Sequence, residues 1–410
     1  MNIMAEGEAL TPALQCFLDK WHPECMAPGL LESCYQEGSS PARVFCLGKA
    51  APGLARAAAA IWPGVPGLVY GTFQEGLLPR GYQWLMGDHP LPTRRNEEAT
   101  AEVERWVAAG KGPLLACISG GGSALLVHPR APWTLEMKAA VTGALWRQGA
   151  PIRDLNALRT RLSEVKGGGL RALAGPWPVV TALWSDVGPR DARWVSSGPT
   201  LPSDLARGAK EVALRHGLVL PLPLPPYRPP SPRHEGDKTF VLCDGVILRR
   251  ACSAWLSGMD LRAREVSCPE GTPARALAKK IAERVAKMHA RASAFVGNGE
   301  VRVEVPRGSG RGGRCSHLVA EVALALVRRR IPGHWAFTAL ATDGVDGTAG
   351  GGAWTDSESV PPESALIQSI EAFDTASLWA SAGTLLPMRP TGNNLRDLWV
   401  LVATPSRNLG

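Results

Sequence analysis

The chain has 410 residues, too many for one ordinary hydrophobic core, so two domains are expected. Its 45% apolar and 20% charged residues are those of a folded globular protein and exclude a disordered or fibrous one. The net charge of +8 suits an anionic ligand, while the scatter of the basic residues disfavours a nucleic-acid or membrane partner.

Nine cysteines, an odd number with no C-x-x-C pair, predict reduced and mostly buried thiols in a cytoplasmic protein. Residues 1–10 carry acidic side chains and no apolar core, so no signal peptide is expected. No apolar run approaches the roughly 18 residues of a membrane span.

Short apolar runs alternate with helical periodicity along the chain. "RVFCLG" predicts a strand ending at Lys49, followed by a helix over 52–60. "GLVYG" is a second strand, and His89 stands in the turn "DHPLP" before a helix over 97–109. "LLACIS" predicts a buried strand that runs into Ser119, Gly120, Gly121, Gly122 and Ser123. Helices over 134–149 and 154–166 follow. In the second, Leu155, Leu158, Leu162 and Val165 make a core stripe, Asp154 an N-cap and Gly167 a stop. Arg159, Ser163 and Lys166 share its other face, as an anion site or as a solvated surface. "VVTALWS" leads to Asp186, and "SSGPT" contains Gly198 and Thr200. The proline-rich stretch 221–233 reads as a connector, which divides the chain into 1–232 and 233–410; a long loop inside one domain is the alternative. Beyond it come "FVLCD" with Asp244, helices over 246–257 and 272–289, and the strand "SAFVG". Gly308, Gly310 and Gly313 match G-x-G-x-x-G ahead of a helix over 316–330, among Arg307, Arg311 and Arg314. The acidic residue expected about 20 positions later is absent, so an anion at the helix N-terminus beside Arg314 is the better reading. "AFTALAT" delivers Asp343.

This alternation predicts α/β domains with largely parallel sheets, and ligands bind beyond the carboxyl ends of such strands. One lysine, one glycine-rich turn and three aspartates at strand ends suit phosphoryl transfer, though any single aspartate there is more often a turn cap.

The ordered series "LGKAA", "DHPLP", "SGGGSALL", "LRTRLSEVKGG", "SDVGPRDARWVSSGPT", "GNGEVRVEV", "GRGGR", "ATDGVDG" and "TGNNLRDL" resembles the class II glycerate kinases, whose C-terminal portion is the MOFRL domain. The resemblance runs from about residue 40 to the C-terminus. It implies a larger Rossmann-like N-terminal domain, a smaller α/β MOFRL-type domain, and an active site in the cleft between them. The implied reaction is ATP- and Mg²⁺-dependent phosphorylation of D-glycerate on its 2-hydroxyl; a homodimer is the expected assembly. Lys49 and Arg314 would be the functional cations, with Asp186 or Asp343 on Mg²⁺ or the acceptor hydroxyl. Ser119, Gly120, Gly121, Gly122, Ser123, Gly198, Thr200, Gly312 and Gly313 would line the nucleotide. Arg159, Ser163, Lys166 and His89 would line the substrate. The chain departs from the family at Cys315, Ser316 and His317 (usually Asn-Gln-Glu), at Gly169 (usually Arg), and at Arg190, where Asp191 keeps one of two usual acidic positions. Those departures leave open a paralogue that binds a nucleotide or sugar acid without turnover. G-x-G-x-x-G alone suggests an NAD(P)-dependent hydroxypyruvate reductase, and the arginine-glycine loop alone suggests RNA binding.

Overall fold

The computed structural model describes residues 6–74, 76–288, 292–306, 308–348 and 350–404, without the side chains of 189–192. Arg307, Arg190 and Asp191 therefore lie outside what is described. The chain forms two compact units. The larger is His22–Asp244; the smaller combines the chain before His22 with everything from Gly245 onward. This division differs in two ways from one at 232/233: it falls after Asp244, and the first helix joins the C-terminal unit.

In the larger unit six parallel strands, β1 (Arg43–Leu47), β2 (Gly67–Gly71), β3 (Tyr82–Met86), β4 (Leu114–Ser119), β5 (Val179–Ser185) and β6 (Lys238–Asp244), lie in the order β3-β2-β1-β4-β5-β6. β1, β2, β4 and β5 are buried along their whole length. Continuous apolar runs such as "LLACI" allow this, because helices cover both faces of a parallel sheet. Phe45, Leu47, Tyr70 and Ile118 form the centre of the core.

The stretch 221–233 is strapped onto this unit. Its prolines bring no N–H to a ladder, and side chains satisfy the carbonyls: Trp133 Nε1 donates to Pro223 O at 3.0 Å, Arg161 Nε to Pro225 O at 2.6 Å and Arg130 to Pro226 O at 3.0 Å. Arg161 and Arg207 also stack on Tyr227. The segment behaves as a long loop of the unit that delivers β6.

The smaller unit holds β7 (Arg262–Glu265), β8 (Ser293–Asn298), β9 (His334–Ala341), β10 (Gly352–Asp356), β11 (Leu385–Leu386) and β12 (Asp397–Thr404), ordered β11-β10-β9-β12-β8-β7. Only β7 and β8 pair in parallel; the other four pairings are antiparallel. The expectation of a largely parallel sheet is corrected here. β12 inserts antiparallel between β8 and β9, and local sequence carries no sign of that direction. The amphipathic helix Arg314–Arg328 packs Val319 and Ala323 into a core with Phe295, Phe337 and Trp399. Gly7–Lys20 docks on the same unit: Gly7 N–H donates to Asp356 Oδ2 at 3.0 Å, and the Thr11 and Thr338 hydroxyls share a 2.8 Å hydrogen bond.

Seven of the nine cysteines are buried and all nine are free thiols. Among the described residues no helix is long and apolar enough to cross a membrane.

Candidate active site

The strand order of the larger unit reverses between β1 and β4, the point where open α/β sheets bind ligands. Both chains leave their strands there together, since Leu47 stands opposite Ile118. Lys49 N–H donates to Gly120 O at 2.9 Å, Ala50 N–H to Ser119 Oγ at 3.0 Å, and Ser119 Oγ to Leu47 O at 2.9 Å. Ser119 is thus a buried brace between two turns. Gly121 has φ 87°, a left-handed conformation that disfavours any Cβ, and a Cβ there would lie 3.1 Å from Lys49 Cγ and 3.7 Å from His89 Cδ2. The glycine lets a half-buried lysine and an exposed histidine lie against the turn. The N–H groups of Gly121, Gly122 and Ser123 meet no protein acceptor among the described residues. Three adjacent open donors beside a lysine form an anion cradle.

Two residues missed in the sequence complete it. Ser196 Oγ donates to Ser119 O at 2.6 Å, and a Cβ on Gly122 would strike that same Oγ. Ser197 Oγ donates to Asn156 Oδ1 at 2.9 Å and shares a 2.8 Å bond with Ser123 Oγ. Both serines have positive φ, 53° and 62°, which non-glycine residues adopt only under constraint. Gly198 and Thr200 have local structural contacts of their own. Gly198 sits in a left-handed turn where a Cβ would press on Arg193 O, and buried Thr200 accepts from Thr181 Oγ1 behind the strand. Asp186, half-buried, is the first residue past β5, two beyond the Trp184 that stands opposite Ser119.

The helix expected over 154–166 is Ile152–Arg161. It stops early because residues 162–164 pair with 128–130: Arg130 N–H donates to Leu162 O and Glu164 N–H to His128 O. Asp154 lies in its first turn, not at the N-cap, and accepts from Arg215 and His216. Lys166 is buried and donates to Ser123 O and Leu126 O at 2.9 and 2.8 Å. It steadies the backbone after the glycine turn instead of facing solvent. Ser163 is likewise buried, its hydroxyl accepting from Val165 N–H.

In the smaller unit Arg314 is paired with carboxylates, through Nη2 to Glu300 at 3.0 Å and Nε to Asp397 at 3.3 Å. Its guanidinium charge is outnumbered. Burial pushes the Asp397 carboxyl up despite Arg314, and Glu300, Asp346 and Asp343 add to that. The helix N-terminus beside Arg314 is occupied as well, which corrects the expected external anion there. Cys315 and Ser316 N–H both donate to the Asp346 carboxylate at 2.8 Å. Gly312 N–H goes to Thr348 Oγ1 and Gly313 N–H to Ser316 Oγ, so neither glycine keeps a donor for a phosphate. Asp343, half-buried, accepts from Val345 N–H at 3.0 Å with Oδ1.

Cys315, Ser316 and His317 are all buried. Trp379 Nε1 donates to Ser316 O at 2.9 Å, and His317 packs on Phe373 with its pKa pushed down to about 4 by burial. The changed triplet is thus part of the unit's interior.

Residues 13–223 match a family model described as a domain of unknown function, DUF4147, and 293–397 match the MOFRL family. A glycerate kinase from Homo sapiens is 30% identical over 361 residues, covering 71% of this chain and 67% of that protein. A protein from Agrobacterium vitis, provisionally named hydroxypyruvate reductase, is 31% identical over 394 residues, covering 86% of this chain and 84% of its own. The chain belongs to the glycerate kinase family. The glycerate kinase of Thermotoga maritima has the same fold, with a TM-score of 0.80 at 23% identity, over 95% of this chain and 97% of that one. Within the family fold, the cradle falls in the DUF4147 part and the Arg314 cluster in the MOFRL part.

Proposed function

We propose that the protein transfers the γ-phosphoryl group of ATP to the 2-hydroxyl of D-glycerate. A bond forms between that oxygen and phosphorus, the bond from phosphorus to the ADP oxygen breaks, and the hydroxyl proton is released. The observation that carries this reading is the open-donor turn of Gly121, Gly122 and Ser123 beside Lys49 at the strand-order reversal. Backbone donors fixed before the substrate arrives stabilise charge on phosphoryl oxygens without reorganising, and Lys49 adds a positive charge against the same turn. His89 stands within reach of it.

Mg²⁺ beside a nucleotide needs only one or two carboxylates. Asp186 in the larger unit or Asp343 in the smaller one, each half-buried at a strand end, would be the carboxylate that holds it. When bound, the ion would neutralise charge on the phosphates. Arg314, clamped by Asp397 and Glu300, is a residue that orders the acidic strand ends around it.

The test is incubation of purified protein with D-glycerate, ATP and Mg²⁺, following ADP release and identifying the product. Formation of 2-phosphoglycerate that is lost in Lys49→Ala supports the reading. The 3-isomer would keep the kinase and change the position of attack. Absence of ADP release from folded protein sinks it. A second reading, NAD(P)-linked reduction of hydroxypyruvate, draws on the Agrobacterium vitis name. The filled donors of Gly312 and Gly313 speak against G-x-G-x-x-G as its pyrophosphate cradle. NADH oxidation with hydroxypyruvate would establish it.

A further inference from the structure

Three cations gather in the larger unit beside the serines of the cradle. Lys138 lies on the helix Leu135–Arg147, which packs on Ile152–Arg161, the carrier of Asn156 and Arg159. Lys138 is 5% exposed, and its Nζ has no hydrogen-bond partner among the described residues. Burial and the charge of Arg159 push this ammonium down to about 7, while Glu97 on Arg94–Ala109 pulls weakly the other way without an ion pair. Burial pushes the Lys166 ammonium down as well, and the charges of Lys138 and Arg159 add to that. Asn156 uses Oδ1 for Ser197 and leaves Nδ2 buried without an acceptor. Asn156 and Arg159, three positions apart, share a helix face.

Enclosing like charges together with unmet donors is unfavourable unless something negative joins them. Loss of the Lys138 proton would ease the repulsion, yet Nζ and Asn156 Nδ2 would still lack partners. We infer that Lys138, Arg159 and Asn156 Nδ2 form a binding site for one small oxyanion, a carboxylate or phosphoryl group, next to the Ser123–Ser197 pair. An oxyanion has enough lone pairs to meet all three donors at once and offsets the charge they share. Lys166, held by two carbonyls, contributes field and position. The inference rests on the kinase reading only in making D-glycerate one of the probes.

Binding, not turnover, tests it. Full-length protein is titrated calorimetrically with D-glycerate and with inorganic phosphate, in wild type, Lys138→Met and Asn156→Leu. Expected is an affinity at least ~10-fold weaker in Lys138→Met for one of the two anions, with thermal stability unchanged or raised because an enclosed charge is gone. Dependence of D-glycerate alone assigns the site to a carboxylate, and dependence of phosphate alone assigns it to a phosphoryl group. A second measurement needs no variant: at pH 8, binding in buffers of different ionisation enthalpy takes up close to one proton as the anion recharges Lys138 against Arg159, Lys166 and Glu97. Binding that ignores Lys138→Met and takes up no proton overturns the inference, as does wild type that binds neither anion. Since ADP release is not read, failure of the kinase reading leaves these outcomes intact.

Discussion

Two glycine-rich turns precede helices in this protein, and they end in opposite states. The turn of Gly120, Gly121 and Gly122 leaves three N–H groups open and has Lys49 against it. The turn ending at Gly313 looks more like a nucleotide fingerprint, yet Asp346, Thr348 and Ser316 have taken its donors. Glycine spacing sets what a backbone can do; the neighbouring acceptors decide whether it remains able to do it.

The largest expected effect tests the open turn. Lys49→Ala and Gly121→Ala should each lower kcat/KM by about 10²–10³-fold, one by removing charge and the other by crowding Lys49 from a strained backbone. Steady-state kinetics on folded variants check this, and retained turnover in both would break the contrast. Next is the filled turn. Asp346→Ala strands two N–H groups and should cost about 2–5 kcal/mol in urea denaturation. Sulfate should restore more stability to this variant than to wild type, because the vacated donors then resemble those of the other turn.

A smaller effect concerns the helix behind the filled turn. His317 has its folded pKa lowered from the model-peptide 6.5 to about 4, so the unfolded chain binds the extra proton first as pH falls between these values. Stability present above pH 6.5 should be lost towards pH 4, on the order of 2–3 kcal/mol, and His317→Phe should flatten that slope. The smallest effect is Gly308→Ala. Its φ of 71° costs about 1 kcal/mol, nothing lies within reach of the new methyl group, and activity should not change.

Much of this was legible in sequence where burial is continuous. β1, β4 and β5 read as strands because their apolar runs leave no other use for them, and the rule that ligands gather past strand ends led to Lys49 and the glycine turn. β12 went unread as a strand, since "DLWVLVAT" finds its place by pairing with residues far away in the chain. The 154–166 helix was overextended for a similar reason: Leu162 and Val165 are buried as the stripe predicts, but a bridge to 128–130 claims the backbone. Ser196 and Ser197 carry no local signal for left-handed backbone, and a lysine on an amphipathic helix such as Lys138 ordinarily reads as solvated. The capping of residues 315 and 316 by Asp346 joins groups about thirty positions apart, beyond any spacing rule.

The docking of Gly7–Lys20 on β9 and β10 bears on how the protein is born. Domains fold largely as they leave the ribosome, N-terminal first. Here the strands that receive the first helix are synthesised only after the whole of His22–Asp244 has emerged. Until then its apolar face, with Leu10, Leu14 and Phe17, has no seat. A helix made before the larger unit finds its place only after that unit is complete.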